Sequence, residues 1–477
     1  MYITDISSWA LDQFKFCNLG DKRRTTRLIE LAKSLCNHLG KSISASCEGD
    51  SAVLEGGYRL IRNNQVKASS ISEGTFKSTK LKSKNRSTLL AIEDSTSLSY
   101  KHSVRDELGY TGGGSSKGAY ARGLYAHSVL LVDAEKDETL GLIGQLRWIR
   151  DKAEYGKHRA RKQRAYDDKE SHKWEESSLL VQRRMGSLMR KVISVCDRES
   201  DIYDYINFKV TSGQRFVIRA AQNRRLASGG FKHLHEAINH AQKLGEYQVT
   251  IAQKKGRKAR VSQIELYSCK VRLNPPAHHP NPLLEPIDIH VVVAKEKEGT
   301  GSDEGTLSWT LFTTEPVACF DDAIKVINYY KMRWKIEEFH KAWKTGAGVE
   351  RQRMQSAENI ERMAVILAPI AVRLLQLKEH VEKNKKENTY VAKQHSILSQ
   401  EEMTVLWLSM QPKKEATKPL PAILPDAEWV YKSIAKLGGW TDTKRLGKAS
   451  WKTLWEGWFK LQERLEGYLL YKKSAEI

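Results

Sequence analysis

Leu28-Ile29, Leu31-Ala32 and Leu35-Cys36 recur three and four positions apart, the spacing of one apolar helix face. Asp21-Lys-Arg-Arg-Thr-Thr-Arg27 leads into this face, and Gly40 can end it. A second helix is predicted after Asp50-Ser51, carrying Tyr58-Arg59-Leu60-Ile61-Arg62. Residues 1–70 therefore read as helical. From residue 87 the pattern changes. Thr88-Leu-Leu-Ala-Ile92 is a continuous apolar run that ends in Glu93-Asp94-Ser95-Thr96, as in a buried strand whose C-terminal end presents acids. Residues 126–132 and 140–148 predict two more strands, joined by a charged turn. The charged stretch 151–173 reads as an exposed loop and 175–189 as a helix. The run 191–195 reads as another short buried strand, entering Cys196-Asp197-Arg198-Glu199-Ser200-Asp201. A helix over 202–208 and a strand over 215–219 follow. Three strands, then helix–strand–helix–strand, predict a mixed α/β sheet.

Residues 245–315 are strand-like and turn-rich, with strands at 247–251 and 287–293, a basic loop at 254–260, a Pro-rich stretch at 275–282 and a loose turn at 299–305. They read as a β-rich insertion. Helix continues to about 381. The charge run 382–388 and the Lys- and Pro-rich stretch 411–425 read as linkers or exposed loops. Residues 429–437 and 451–469 are helical, with Trp451, Leu454, Trp455, Trp458, Leu461, Leu465 and Leu469 on one side of the last helix.

One helical segment stands out. Tyr330 to Lys344 contains no Gly or Pro, so a helix can run through it unbroken. At about 100° per residue, Tyr330, Arg333, Glu337, Lys341 and Lys344 share an arc of roughly 80°. Met332, Ile336, Phe339 and Trp343 fall opposite as a core stripe. A carboxylate flanked by cations suits a site that holds a metal and grips phosphates.

Composition narrows the partner. The net charge of +22 points to a polyanion, with nucleic acid the first choice and a merely soluble basic protein the other reading. A chain of 477 residues suggests about two to four domains. The six cysteines form no CxxC pair and read as reduced thiols of a cytosolic protein. The N-terminus lacks a signal-peptide pattern, and no apolar run approaches a membrane span, so a soluble intracellular protein without a membrane partner is expected. The N-terminal helices, with arginines on their polar sides, fit either a small DNA-binding module or a solvated helical bundle.

Asp94 and Asp197 each end a predicted buried strand, and Glu337 lies mid-helix. Three such oxygen donors suit a pair of hard divalent cations, which can drive in-line displacement at phosphorus. Glu93 points away from Asp94 along a straight strand and reads as structural. Glu199 and Asp201 fit either groups behind the ligands or helix-starting acids. Glu338 lies about 100° round the helix from Glu337 and is not expected to be a ligand.

Tyr330-(x2)-Arg333-(x3)-Glu337-(x6)-Lys344 resembles the YREK signature of DDE cut-and-paste transposases of the insertion-sequence-four type. The wider strings resemble the same family: Ala91 to Tyr100, Val195 to Glu199, Glu337 to Gly348, Gly20-Asp-Lys-Arg-Arg-Thr25 and Ala449 to Trp458. The resemblance spans nearly the whole chain and is weakest near 150–170, 220–305 and 382–427. It implies a ribonuclease-H-like catalytic core at 71–375 with the β-rich insertion at about 220–315. All-α domains flank it: 1–70 for recognition of inverted terminal repeats, and 376–477 for dimerisation. It implies Asp94, Asp197 and Glu337 as the ligands of two Mg²⁺ ions, with Mn²⁺ able to substitute, and a bacterial, nucleoid-associated protein of the cytoplasm. It implies nicking of double-stranded DNA at the transposon end, a hairpin formed by the freed 3′-hydroxyl, its reopening, and transfer into target DNA, carried out by a homodimer. Tyr330, Arg333, Lys341 and Lys344 would hold phosphates. Trp309 would stack on a flipped base, where the residues alone also allow a buried strand tryptophan. Arg219 would contact DNA, and Arg23, Arg24, Arg27, Arg59 and Arg62 would read the terminal repeats. Trp455 and Trp458 fit either the dimer contact or plain core, and the loop 254–260 either touches DNA or is solvated. A nuclease of the same fold that hydrolyses without joining is the alternative activity.

Overall fold

The structure is a computed structural model that describes residues 6–111, 121–151, 164–227, 230–251, 260–279, 281–297, 307–387, 398–412, 418–441, 443 and 449–475. The basic loop expected at 254–260, but for Arg260, and the turn at 299–305 lie outside these residues, as do parts of the stretches 151–173 and 411–425. The chain forms two compact units. One comprises Met1–Thr75, His102–Glu107 and Glu338–Ile477, the other Phe76–Lys101 and Leu108–Glu337.

The first unit is helical. It begins with α1 (Ile6–Phe14), α2 (Lys22–Asn37), α3 (Ile43–Ser46), α4 (Ser51–Arg62) and the start of α5 (Ala68–Ser83). Asp21 caps α2 by accepting from the Arg23 backbone N–H, and the buried face is Leu28, Leu31, Ala32, Leu35 and Cys36, the face the periodicity predicts. Asp50 caps α4, accepting from Ala52 and Val53. The unit ends with α11 (Ala357–Glu387), α12 (Gln400–Met410), α13 (Ala427–Leu437) and α14 (Trp451–Ala475). The charge run expected as a linker is helical as far as Glu387, because Glu and Lys are good helix formers. Buried Arg362 on α11 spends its guanidinium on the carbonyls of Val66 and Ile61, at 2.7 and 2.9 Å. Leu406, Val430, Ile434 and Leu461 pack together, and Trp458 joins them. Trp455 is 6% exposed, as its core reading has it, whereas Trp458 is only partly buried. A Cβ on Gly457 would stand 1.8 Å from the Ile434 carbonyl oxygen, and one on Gly438 1.8 Å from that of Thr453. Only glycine permits so close a crossing.

The second unit is built on one large mixed sheet. Its strands are β1 (Leu89–Tyr100), β2 (Gly109–Tyr110), β3 (Arg122–Asp133), β4 (Glu138–Trp148), β5 (Val192–Cys196), β6 (Arg215–Arg219), β7 (Gln242–Ile251), β8 (Arg260–Leu273), β9 (Ile287–Glu296) and β10 (Ser308–Thr313). They are ordered β2-β3-β1-β5-β6-β10-β9-β8-β7, with β4 on β3. The pairs β1–β5 and β5–β6 are parallel, and β3 pairs antiparallel with both β1 and β4. The helices are α6 (Lys173–Met185), α7 (Tyr203–Thr211), α8 (Leu234–Asn239) and α9 (Phe320–Lys331), and α10 (Trp334–Lys341) begins here. Trp174, Tyr205, Phe216 and Phe312 are among the buried side chains of its core. The whole is a mixed α/β fold with helical N- and C-terminal regions, consistent with a ribonuclease-H-like core.

The β-rich stretch is formed by β7, β8, β9 and β10, which extend the main sheet beyond β6. Two expectations need correction. Asp94 does not end its strand, because the Ser- and Thr-rich residues after it keep pairing with β3 as far as Tyr100. The helix from Tyr330 to Lys344 is interrupted. Arg333, Lys335 and Ile336 donate to the carbonyls three residues back, which tightens the chain between α9 and α10. Arg333, at the tightening, pairs with Glu337 one turn on and faces Asp94 of β1. After α10 comes a π-helical turn over Ala342–Gly346, closed by Ala347 donating to Ala342 at 2.8 Å.

Candidate active site

Parallel pairing of β1 with β5 stops at Ile92 opposite Val195. Continued by two residues, this register sets Asp94 beside Asp197, at the point where β5 has ended. Asp197 caps a short 3₁₀ turn and accepts from the Glu199 backbone N–H at 2.9 Å. The Ser95 N–H donates to Asp94 Oδ1 at 2.7 Å. Glu337 comes from the first turn of α10.

Arg333 joins these groups. Its Nη2 lies 2.5 Å from Glu337 Oε1 and its Nη1 3.8 Å from Asp94 Oδ2. Asp94 feels the other two carboxylates. Burial first, then the charge of Asp197, pushes the Asp94 carboxyl up to about 6, with Glu337 adding and Arg333 opposing. Asp197 is also raised, chiefly by burial. Among the described residues no three His, Cys, Asp or Glu side chains close on a common metal position. Arg333 balances the charge instead. The donor chemistry nonetheless fits hard divalent cations: the oxygens are carboxylate, and their crowding raises a proton affinity that a cation would relieve.

An aromatic patch adjoins the carboxylates. Tyr330 is buried at the end of α9 and meets Trp309 edge to face at 5.1 Å, and Arg333 lies 6.0 Å from the Tyr330 ring. Trp309 is only half-buried, which separates it from a core tryptophan. Arg219 Nη2 donates to the Ser308 carbonyl at 3.3 Å. Asp94, Asp197, Glu337, Arg333, Tyr330, Trp309 and Arg219 thus all belong to the second unit. Lys341 and Lys344 fall in the first, where Lys344 lies on the π-helical turn and burial pushes its ammonium pKa down. Arg23, Arg24, Arg27, Arg59 and Arg62 also belong to the first unit.

The neighbouring acids sort by their partners. Asp201 accepts from the backbone N–H groups of Ala221 and Gln222 and from Arg224, so it fixes the loop after β6. Glu338 is paired with Lys378. Glu199 pairs with Lys173 at 3.5 Å. Lys173 is a residue the sequence reading leaves in a loop. It starts α6, lies 5.8 Å from the Trp148 ring, and its charge opposes the rise of Asp197. Its signal was the Trp174 that follows, a large apolar residue at the edge of a charged stretch.

The profile described as transposase DNA-binding matches residues 6–66. That of the transposase DDE domain matches residues 94–375, beginning at Asp94 and enclosing Asp197 and Glu337. The chain belongs to the DDE transposase family: it is a DNA transposase, an enzyme that binds DNA and cleaves it with divalent metal ions.

Proposed function

We propose that this enzyme performs cut-and-paste transposition through a hairpin, as a transposase of the insertion-sequence-four type similar to the transposon-five transposase. The observation that carries the reading is the convergence on Arg333 of Glu337, paired with it, and Asp94, whose β1 register brings Asp197 alongside. Asp94, Asp197 and Glu337 would hold two Mg²⁺ ions, or Mn²⁺ in their place. When bound, these ions supply electrostatic stabilisation of the attacking and leaving oxygens in displacement at phosphorus. Arg333, Tyr330, Lys341 and Lys344 grip the phosphates that flank the cut bond. Trp309, backed by Tyr330, offers a partly exposed ring on which an extruded base can stack, and Arg219 holds the adjacent backbone. The helices of residues 1–70 read the inverted terminal repeats through Arg23, Arg24, Arg27, Arg59 and Arg62. Residues 71–375 carry the chemistry, and the helices of 376–477 pair two copies as a homodimer.

The test is incubation with Mg²⁺ and the DNA that flanks the gene, followed by mapping of the ends. Hairpin ends and strand-transfer products support the reading. Hydrolysed ends alone would indicate a structure-selective nuclease. Asp94→Ala, Asp197→Ala and Glu337→Ala should each lower cleavage by about 10³-fold or more while end binding persists. Full cleavage by any of them would remove that residue from the metal site.

A further inference from the structure

Behind Asp94, on the opposite face of β1, lies a buried polar chain. Glu93 and His127 are both wholly buried, with His127 Nε2 3.3 Å from Glu93 Oε2. The other ring nitrogen, Nδ1, lies 3.0 Å from Ser95 Oγ. Ser95 and His127 are direct partners in the β1–β3 register, and Glu93 is two residues back on the same face. The edge of Trp174 closes over the imidazole, 4.6 Å between ring centres. Glu93 Oε1 has no partner among the described residues. Burying a carboxylate and an imidazole costs several kcal/mol where an apolar pair would pack freely. Packing alone does not explain them.

Their position does. β1 is flanked by β5 only as far as Ile92, so from Glu93 onward its backbone has lost one ladder. The relay spans residues 93 to 95, around the carboxylate at 94. We propose that Glu93, His127 and Ser95 are positioning residues that replace the missing ladder and hold the Asp94 carboxylate in its metal-binding orientation. The brace reaches Asp94 directly, because Ser95, anchored by His127, donates its backbone N–H to Asp94 Oδ1. This rests on the reading of Asp94 as a metal ligand.

The test is Mn²⁺ titration of the chelator-stripped full-length protein by calorimetry, with Ser95→Ala, Glu93→Gln and Asp94→Asn. The two relay variants should bind Mn²⁺ about tenfold or more weakly and need correspondingly more Mn²⁺ for half-maximal cleavage. Their rate at saturating Mn²⁺ should stay within about threefold of wild type, whereas a general loss of structure lowers it at every concentration. Should Glu93→Gln not fold, Ser95→Ala decides, since it deletes one small hydroxyl. Wild-type Mn²⁺ affinity in the folded relay variants overturns the proposal. If that occurs while Asp94→Asn loses binding, only the relay fails. If Asp94→Asn itself binds Mn²⁺ normally, the reading of Asp94 has failed.

Discussion

Arg333 reaches one helical turn along to Glu337, 2.5 Å from its Oε1, and turns its other amino group toward Asp94 at 3.8 Å. The guanidinium therefore stands where the carboxylates would otherwise repel one another. Arg333→Gln should destabilise the metal-free protein by about 1–3 kcal/mol, since the acids lose their counter-charge. Mg²⁺ should then stabilise the variant more than it stabilises wild type. Thermal unfolding with chelator and with Mg²⁺ measures both. An equal Mg²⁺ response would show that Arg333 does not offset these charges.

The raised carboxyls make metal-free stability depend on pH with a definite sign. Asp94 in the folded protein holds its proton to about 6, against an ordinary value of 3.8, and Asp197 is raised as well. Between about pH 4 and 6 the native state therefore binds more protons than the unfolded chain, and stability falls as pH rises. Asp94→Asn should be more stable than wild type at pH 7 by about 1–3 kcal/mol, with the gap closing toward pH 4. Urea midpoints measured in chelator from pH 4 to 8 test this. A gap that is constant with pH would sink it.

The proposed terminal-repeat arginines are not equivalent. Arg23, Arg59 and Arg62 are exposed, and their local contacts to Asp21, Glu55 and Tyr58 leave them at the surface. Arg24 donates to the Leu19 carbonyl and to Gln65, and Arg27 pairs with Glu30 while lying against Gly56. Alanine at Arg23, Arg59 or Arg62 should each lower the salt slope of DNA binding by about 1. Alanine at Arg24 or Arg27 should lower the melting temperature more than the slope. Filter-binding or anisotropy titrations across a salt series separate the two groups.

The crossing of α13 and α14 leaves no room for a methyl group. Gly457→Ala would place a Cβ against the Ile434 carbonyl, so the helices must part, at a cost of about 1–3 kcal/mol. The variant should unfold at lower temperature and, if this region pairs two copies, dissociate at higher protein concentration. Unchanged unfolding and sedimentation would contradict the role of this contact.

Periodicity identifies the elements that pack in the simplest way. The α2 face, the apolar runs of β1, β3 and β5, and the last helices all follow from spacing alone. The sequence is silent where tertiary forces intervene. No residue between Tyr330 and Lys344 predicts the tightening at Arg333, which coincides with its ion pairs. β8 alternates buried and exposed positions, but its buried set includes Ser262 and Ser268, so the alternation is not one of hydrophobicity. Asp94 and Asp197 are legible as acids at the ends of apolar runs, though the continuation of β1 beyond Asp94 is not, because Ser and Thr signal a loop as readily as a strand. His127 within the apolar run of β3 was the visible trace of the buried relay, noticeable only once Glu93 stood beside it.

The unequal lengths of β1 and β5 have an engineering consequence. β5 ends at Cys196, so Asp197 leaves the sheet beside Asp94, and the separation of the two carboxylates is set by where that strand stops. Inserting two β-branched residues after Val195 would prolong β5 and carry Asp197 about 7 Å further along the sheet, past Asp94. It would yield a transposase that keeps all three acids but has the Asp94–Asp197 pair pulled apart by its own backbone.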